Sequence, residues 1–393
     1  MNELIQFKEI LAQTSPSPMG LSIKNAQGSY IFDTNDRAYL DFTSGIAVSS
    51  LGHGHPKIKE AIKKQVDKHL HVMVYGEFIQ EAQTQLAKKL IEFLPDDLSQ
   101  VYFVNSGTEA NEGALKLAKR YTHRTEIISF DRSYHGSTHG SLSVSGNEDK
   151  KYAFRPLLPD VKFIPFNCQA SLEAITQRTA CVIVETIQGD AGIRIPNRSF
   201  MQALRKKCDL TGALLILDEI QCGIGRTGKM FAFEHFGITP DVLTIGKAFG
   251  GGMPIGAFIS SKEIMGKLSS DPALGHVTTF GGHPLPCSAA LAALKVMEEE
   301  CIVDQVEEKG AVLEAMLQHR EVTEIRRIGL FMAVDLSAAE KVQHVVDYCK
   351  DHGVLSFWFL SCPNSFRIAP PLNISTEDLK KGALVILKAF DSL

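Results

Sequence analysis

The sequence predicts an α/β fold, with one large domain built on a mostly parallel seven-stranded sheet flanked by helices and a smaller α/β domain formed by the chain ends. Three observations lead there. A chain of 393 residues is too long for one simple core. Its middle alternates short β-rich runs with helical stretches, and strands joined by crossover helices lie parallel. The strand-like runs are nearly unbroken in apolar residues, the pattern of a sheet covered on both faces.

In chain order, residues 1–51 carry a hairpin, with Tyr30–Phe32 and Ala38–Phe42 flanking the turn Asp33-Thr34-Asn35-Asp36. Residues 52–284 form the large domain. Its strands are expected at Val101–Val104, Glu126–Phe130, Val161–Ile164, Cys181–Glu185, Ala213–Asp218, Val242–Ile245 and Ile255–Ser260. Helices are expected at Thr108–Tyr121 and Ser199–Thr211, and at Pro286–Glu300 just past the boundary. Residues 285–393 add strand-like Phe331–Asp335 and Ser365–Ala369 and a closing helix after Ser375, completing the smaller domain.

Composition narrows the function classes. A net charge of -4 gives no electrostatic reason to expect nucleic acid or an acidic membrane as partner. The first residues lack a basic segment followed by an apolar one, so no signal peptide is expected. No apolar run approaches the roughly 20 residues needed to cross a bilayer. Eight scattered cysteines without a CxxC pair suggest reduced thiols and a cytoplasmic protein. His53/His55 and His69/His71 are two H-x-H pairs, but no acid or cysteine cluster accompanies them, and no metal is expected.

The chemistry concentrates at strand ends, where parallel sheets bind ligands. Val101–Val104 runs into Asn105-Ser-Gly-Thr-Glu-Ala-Asn-Glu112 and then a helix. Ser106, Gly107 and Thr108 sit where free helix N–H groups, two hydroxyls and a glycine make an anion site. The plainer alternative is an ordinary N-cap. A second strand ends in Asp218-Glu219, and a third leads through Gly246 to Lys247 and the small residues after it. An amine, an acid and an anion cradle are what pyridoxal phosphate requires for its aldehyde, ring nitrogen and phosphate. Asp218 would keep the ring nitrogen protonated by charge pairing.

With these pieces in place the chain resembles the class III (ω-type) aminotransferases over nearly its whole length. The resemblance rests on Asp41-Phe-Thr-Ser-Gly-Ile-Ala-Val48, Asn105–Glu112, Tyr134-His-Gly136, Glu185-Thr-Ile-Gln-Gly189, Leu217–Gly228, Thr244–Gly256, Thr278-Thr-Phe-Gly-Gly282 and Arg367-Ile-Ala-Pro-Pro-Leu372. It implies a fold-type I transferase that depends on pyridoxal 5'-phosphate. Lys247 would hold the cofactor and Asp218 its pyridine nitrogen. Gln221 would lie by the ring hydroxyl, Ser106, Gly107 and Thr108 by the phosphate, and Tyr134, with His135 beside it, against the ring. The resemblance adds Thr278 and Thr279 to the cofactor site, Thr279 reaching the phosphate from a neighbouring subunit of a homodimer. Glu185 and Arg367 look like a gating pair that frees Arg367 when a 2-oxo acid binds. Ile46 and Tyr75 would line the substrate mouth, or serve only as packing.

Two motifs mislead. Gly223-Ile-Gly225-Arg-Thr-Gly228 is a literal GxGxxG, but Asp218 through Cys222 separate it from its strand, against dinucleotide binding. Gly223–Lys229 nearly spells a P-loop, yet Met230 stands where Ser or Thr must hold magnesium.

The substrate is less legible. The chain looks closest to the ornithine and acylornithine branch, which implies transfer of a terminal amino group to 2-oxoglutarate by a ping-pong mechanism. Ser137 departs from that branch, because many members place a carboxylate-binding arginine there; Arg132 or Arg155 could substitute. The alternatives are 4-aminobutyrate, another ω-amine or a diamine as donor, or decarboxylase or aminomutase chemistry on the same fold.

Overall fold

The computed structural model describes residues 3–74 and 76–393. Its centre is a seven-stranded sheet ordered Gln100–Val104, Gly256–Ser260, Val242–Ile245, Leu214–Asp218, Thr179–Glu185, Glu126–Phe130, Val161–Ile164. The pairs from Val242–Ile245 to Val161–Ile164 are parallel. Gly256–Ser260 alone runs antiparallel, inserted between Gln100–Val104 and Val242–Ile245. Every residue of Leu214–Asp218 and Thr179–Glu185 is buried, which is why these runs read as continuous apolar sequence.

The expected strands all form, with ends moved by a residue or two. The expected helices form as Gly107–Thr122, Arg198–Thr211 and Pro284–Glu299. Pro at the first turn opens the last of these, where a missing N–H costs nothing. Two further helices, Pro56–Lys68 and Glu81–Ile91, pack on Pro284–Glu299.

The chain ends meet. Asp33 makes the hairpin turn, its Oδ1 accepting from the amides of Asn35 and Arg37, both at 2.9 Å. The hairpin gains a strand, Ile23–Gln27, on one side. On the other side Val354–Leu355 pairs in parallel with Ala38–Asp41. A second small sheet is antiparallel, ordered Val322–Ile328, Phe331–Leu336, Ser365–Ile368, Phe357–Trp358, and it carries Arg367.

The glycine-rich loop after Asp218 has a structural use. Arg226 points from it into the core, fully buried. Its Nη1 donates to the carbonyls of Leu330 (3.0 Å) and Pro370 (2.7 Å), and Nη2 donates to Ser50 Oγ (2.9 Å). One guanidinium thus ties the Asp218 loop to three segments of the smaller sheets. Burial pulls its pKa down to about 9.

Candidate active site

The carboxyl ends of five strands running in one direction open on one cavity of about 250 Å³, walled by Gly107, Thr108, Tyr134, His135, Glu185, Asp218, Gln221 and Lys247 among others. Lys247 follows the Val242–Ile245 strand after an extended Gly246. Its φ of 46° puts a non-glycine residue in the left-handed region, a strain that persists only where the surroundings enforce it. Burial draws the Lys247 pKa below that of an ordinary lysine; Asp218 opposes this and Arg367 adds to it.

Asp218 is held on both oxygens. Its Oδ2 accepts from Asn111 Nδ2 at 2.8 Å and faces His135 Nδ1 at 2.8 Å, while Oδ1 accepts from the Ile220 amide at 3.0 Å. Asn111 is oriented in turn, because its Oδ1 accepts from Thr244 Oγ1 at 2.8 Å and its Nδ2 also donates to the His135 carbonyl at 2.7 Å. The buried Nε2 of His135 has no partner among the described residues.

The cradle begins at Ser106, whose extended backbone and side chain cap the Gly107–Thr122 helix; Ser106 Oγ accepts from the Glu109 amide at 3.3 Å. Glu109 answers by accepting from the Asn105 amide at 2.7 Å. Ser106 is therefore the cap, and Gly107 and Thr108 are the residues on the cavity wall, where first-turn amides lack partners within the helix. A Cβ on Gly107 would come within 2.7 Å of Ile220. Gly136 has φ 131°, and a Cβ there would lie 2.3 Å from Thr108 Oγ1, so only glycine lets the two loops touch.

Glu185 ends its strand with both oxygens taken, Oε1 accepting from the Tyr134 amide and Oε2 from the Gly189 amide, each at 2.9 Å. Burial pushes its carboxyl up to about 7. The expected Glu185–Arg367 pair is corrected here. Arg367 makes its ion pair with Asp190, Nη2 to Oδ1 at 3.2 Å, and its guanidinium lies 4.5 Å from the centre of the Phe359 ring. Asp190 carries the free carboxylate because Glu185 is occupied by backbone. The signal for it was available: an acid immediately after Gln188-Gly189, five residues past Glu185.

The remaining expected residues fall elsewhere. Thr278 Oγ1 accepts from Asn105 Nδ2 and from the Gly281 amide, both at 3.2 Å, and lines a neighbouring cavity. Thr279 is exposed. Ile46 is half-buried in a left-handed turn (φ 63°) and is not on the cavity wall. Tyr75 lies outside the described residues. Asn111, which fixes Asp218, was inside the quoted Asn105–Glu112 segment but had been given no role.

Comparison with known proteins decides the family. The family model for aminotransferase class-III matches residues 11–390. This chain belongs to the class III aminotransferases. An acetylornithine aminotransferase from Methanocaldococcus jannaschii is 40% identical over 369 residues, 90% of this chain and 89% of that protein. One from Bacillus subtilis is 38% identical, covering 94% of each chain. An ornithine aminotransferase from Toxoplasma gondii, whose structure holds PLP at partial occupancy in its active site, superposes with a TM-score of 0.92 at 29% identity, over 99% of this chain and 93% of that one.

The enzyme is therefore a pyridoxal-phosphate-dependent transaminase of the fold-type I architecture. Its residues fit that cofactor: a buried amine with lowered basicity, an acid fixed on both oxygens, and a glycine-lined helix start with unpaired amides stand around one cavity. No helix among the described residues is long and apolar enough to cross a membrane.

Proposed function

We propose that this transaminase moves the terminal amino group of ornithine or an N-acylornithine to 2-oxoglutarate in two alternating half-reactions. Pyridoxal phosphate, when bound, supplies an aldehyde that exchanges between amines and a ring that draws electrons from the adjacent carbon. Lys247 would hold that aldehyde through its amine in the resting enzyme, and its free amine would be the group placed to move the substrate proton. Burial lowers its pKa below that of an ordinary lysine, which favours the neutral amine that a base must present. Asp218, kept in place by Asn111 and His135, meets the pyridine nitrogen. Gly107 and Thr108 would hold the phosphate, Tyr134 would lie against the ring, and Gln221 would meet the ring hydroxyl.

Arg367 binds the carboxylate of the oxo acid, and Asp190 takes the gating role because it is the acid that pairs with Arg367. The cofactor-holding body is residues 52–284, and the ends, 1–51 and 285–393, form the lobe that carries Arg367. The pairing of Val354–Leu355 with Ala38–Asp41 supports that division. We also propose a cytoplasmic homodimer in which Thr279 reaches the partner's phosphate. Its support is apolar surface beside Thr279, where Val277 and Phe280 are exposed and Phe280 packs on His71, its ring centre 5.2 Å away.

The observation that carries the reading is the convergence of Lys247, Asp218 and the helix start on one cavity with the Arg367–Asp190 pair held separately. The test mixes the yellow, cofactor-loaded enzyme with ornithine, N-acetylornithine, 4-aminobutyrate, lysine and diamines in turn. Bleaching by ornithine or its acyl derivative and recovery of colour with 2-oxoglutarate are expected. Bleaching only by 4-aminobutyrate or diamines would move the enzyme to the other ω-amine reading.

A further inference from the structure

A second cavity, of about 420 Å³, adjoins the first. Both are walled by Tyr134 and Ser137, so these two side chains form the partition between them. The partition is thin. Ser137 is short, and its Oγ lies 3.3 Å from Tyr134 Oη, so the one long side chain in the partition is Tyr134, which is exposed.

The second cavity has a definite electrostatic character. Its acid, Asp190, is already spent on Arg367 and on Ser361 Oγ at 3.2 Å. Its cation, Lys150, is not spent. Lys150 stands on the Glu148–Lys150 turn with an exposed side chain, and its ammonium has no hydrogen bond or ion pair among the described residues. Of the two acids on the same turn, Glu148 is taken by Arg155, Nε to Oε1 at 3.0 Å, and by Lys151 at 3.6 Å, and Asp149 lines a separate cavity. Leu142 and Phe154 supply apolar wall to the same cavity. The other two cations that the sequence offered are placed elsewhere: Arg155 is paired with Glu148, and Arg132 lines a separate cavity.

We propose that this second cavity is the subsite for the far end of the amine donor, and that Lys150 selects donors carrying an anion there. The ligand class is a methylene chain with a primary amine at one end and a carboxylate at the other. This inference rests on the ω-amine reading above and names the residue that would give it specificity. The amine end reaches past Tyr134 and Ser137 to Lys247, the methylenes lie along Leu142 and Phe154, and the anion meets an ammonium that makes no ion pair among the described residues.

Three five-carbon donors test it in the holoenzyme: 5-aminopentanoate, pentylamine and 1,5-diaminopentane, which differ only in the charge at the far end. The readout is the ratio of kcat/KM for the anionic donor to that for the neutral one, from half-reaction bleaching. In Lys150→Met the ratio is expected to fall roughly tenfold or more, chiefly through KM of the anionic donor. In Lys150→Glu the diamine should become the preferred donor of the three. Because the side chain is exposed, both variants should keep the wild-type circular dichroism and cofactor colour. An unchanged ratio in both variants overturns the assignment of Lys150. A wild-type enzyme that is bleached by glutamate but by no ω-amine removes the donor reading itself, and this inference with it.

Discussion

The floor of the active site and its mouth are built by opposite means. On the floor, Asp218 and Asn111 are buried, and each polar atom of Asp218 is answered by a neighbour that is itself fixed. At the mouth, Ser137, His139 and Lys150 are exposed on a loop, a short helix and a single turn, and the Lys150 ammonium has no partner among the described residues. The floor has one arrangement because any other leaves a charge unpaired in the interior. The mouth can change its side chains without disturbing the fold. Chemistry shared by a family belongs in the first kind of region, and the choice of substrate in the second.

The contrast breaks most sharply at Lys247. Lys247→Ala should lower the rate of the donor half-reaction by roughly 10³-fold or more, because both the anchor and the base are lost. Stopped-flow measurement that finds near wild-type turnover would end the assignment. Asp218→Asn keeps the shape and removes the charge; a loss of roughly 100-fold in both half-reactions is expected, with cofactor still bound. A loss confined to one half-reaction would place Asp218 with a substrate instead of the cofactor.

At the border between the regions, Arg367→Lys should raise KM for 2-oxoglutarate roughly tenfold and leave KM for a simple ω-alkylamine near its original value, since lysine lacks the planar fork. Equal effects on both would make Arg367 structural.

The smallest effect sharpens the description of the floor. Burial pushes the carboxyls of Glu185 and Glu219 up to about 7, above the ordinary value of about 4.3. A carboxyl with a raised folded pKa contributes stability that is full below the unfolded value and is lost as pH rises through the folded one. The apoprotein should therefore lose stability between about pH 4 and pH 7, and Glu219→Gln should flatten part of that slope, by a few degrees in Tm. Scanning calorimetry of both proteins checks this, and parallel slopes would contradict it.

Much of the floor was legible in the chain because strand ends are written locally. An apolar run that stops at Asp218, and another that stops before Lys247, place both side chains at carboxyl ends whatever the rest of the fold does. Ser106 shows the limit of such reading: the same residue types make a cap or an anion contact, and the cavity wall decided for Gly107 and Thr108. The helices Pro56–Lys68 and Glu81–Ile91 were not anticipated, their burial being confined to a few residues each.

The sequence by itself determined the strands of the central sheet and the family, since each follows from apolar runs or from contiguous motifs. Only the tertiary structure decided that Asp190 rather than Glu185 holds Arg367, and that Lys150 stands unpaired beside Ser137. Those are relations between segments far apart in the chain. Two acids five residues apart look alike as letters, and they differ once backbone amides have filled one of them and a guanidinium from the other end of the chain has reached the second.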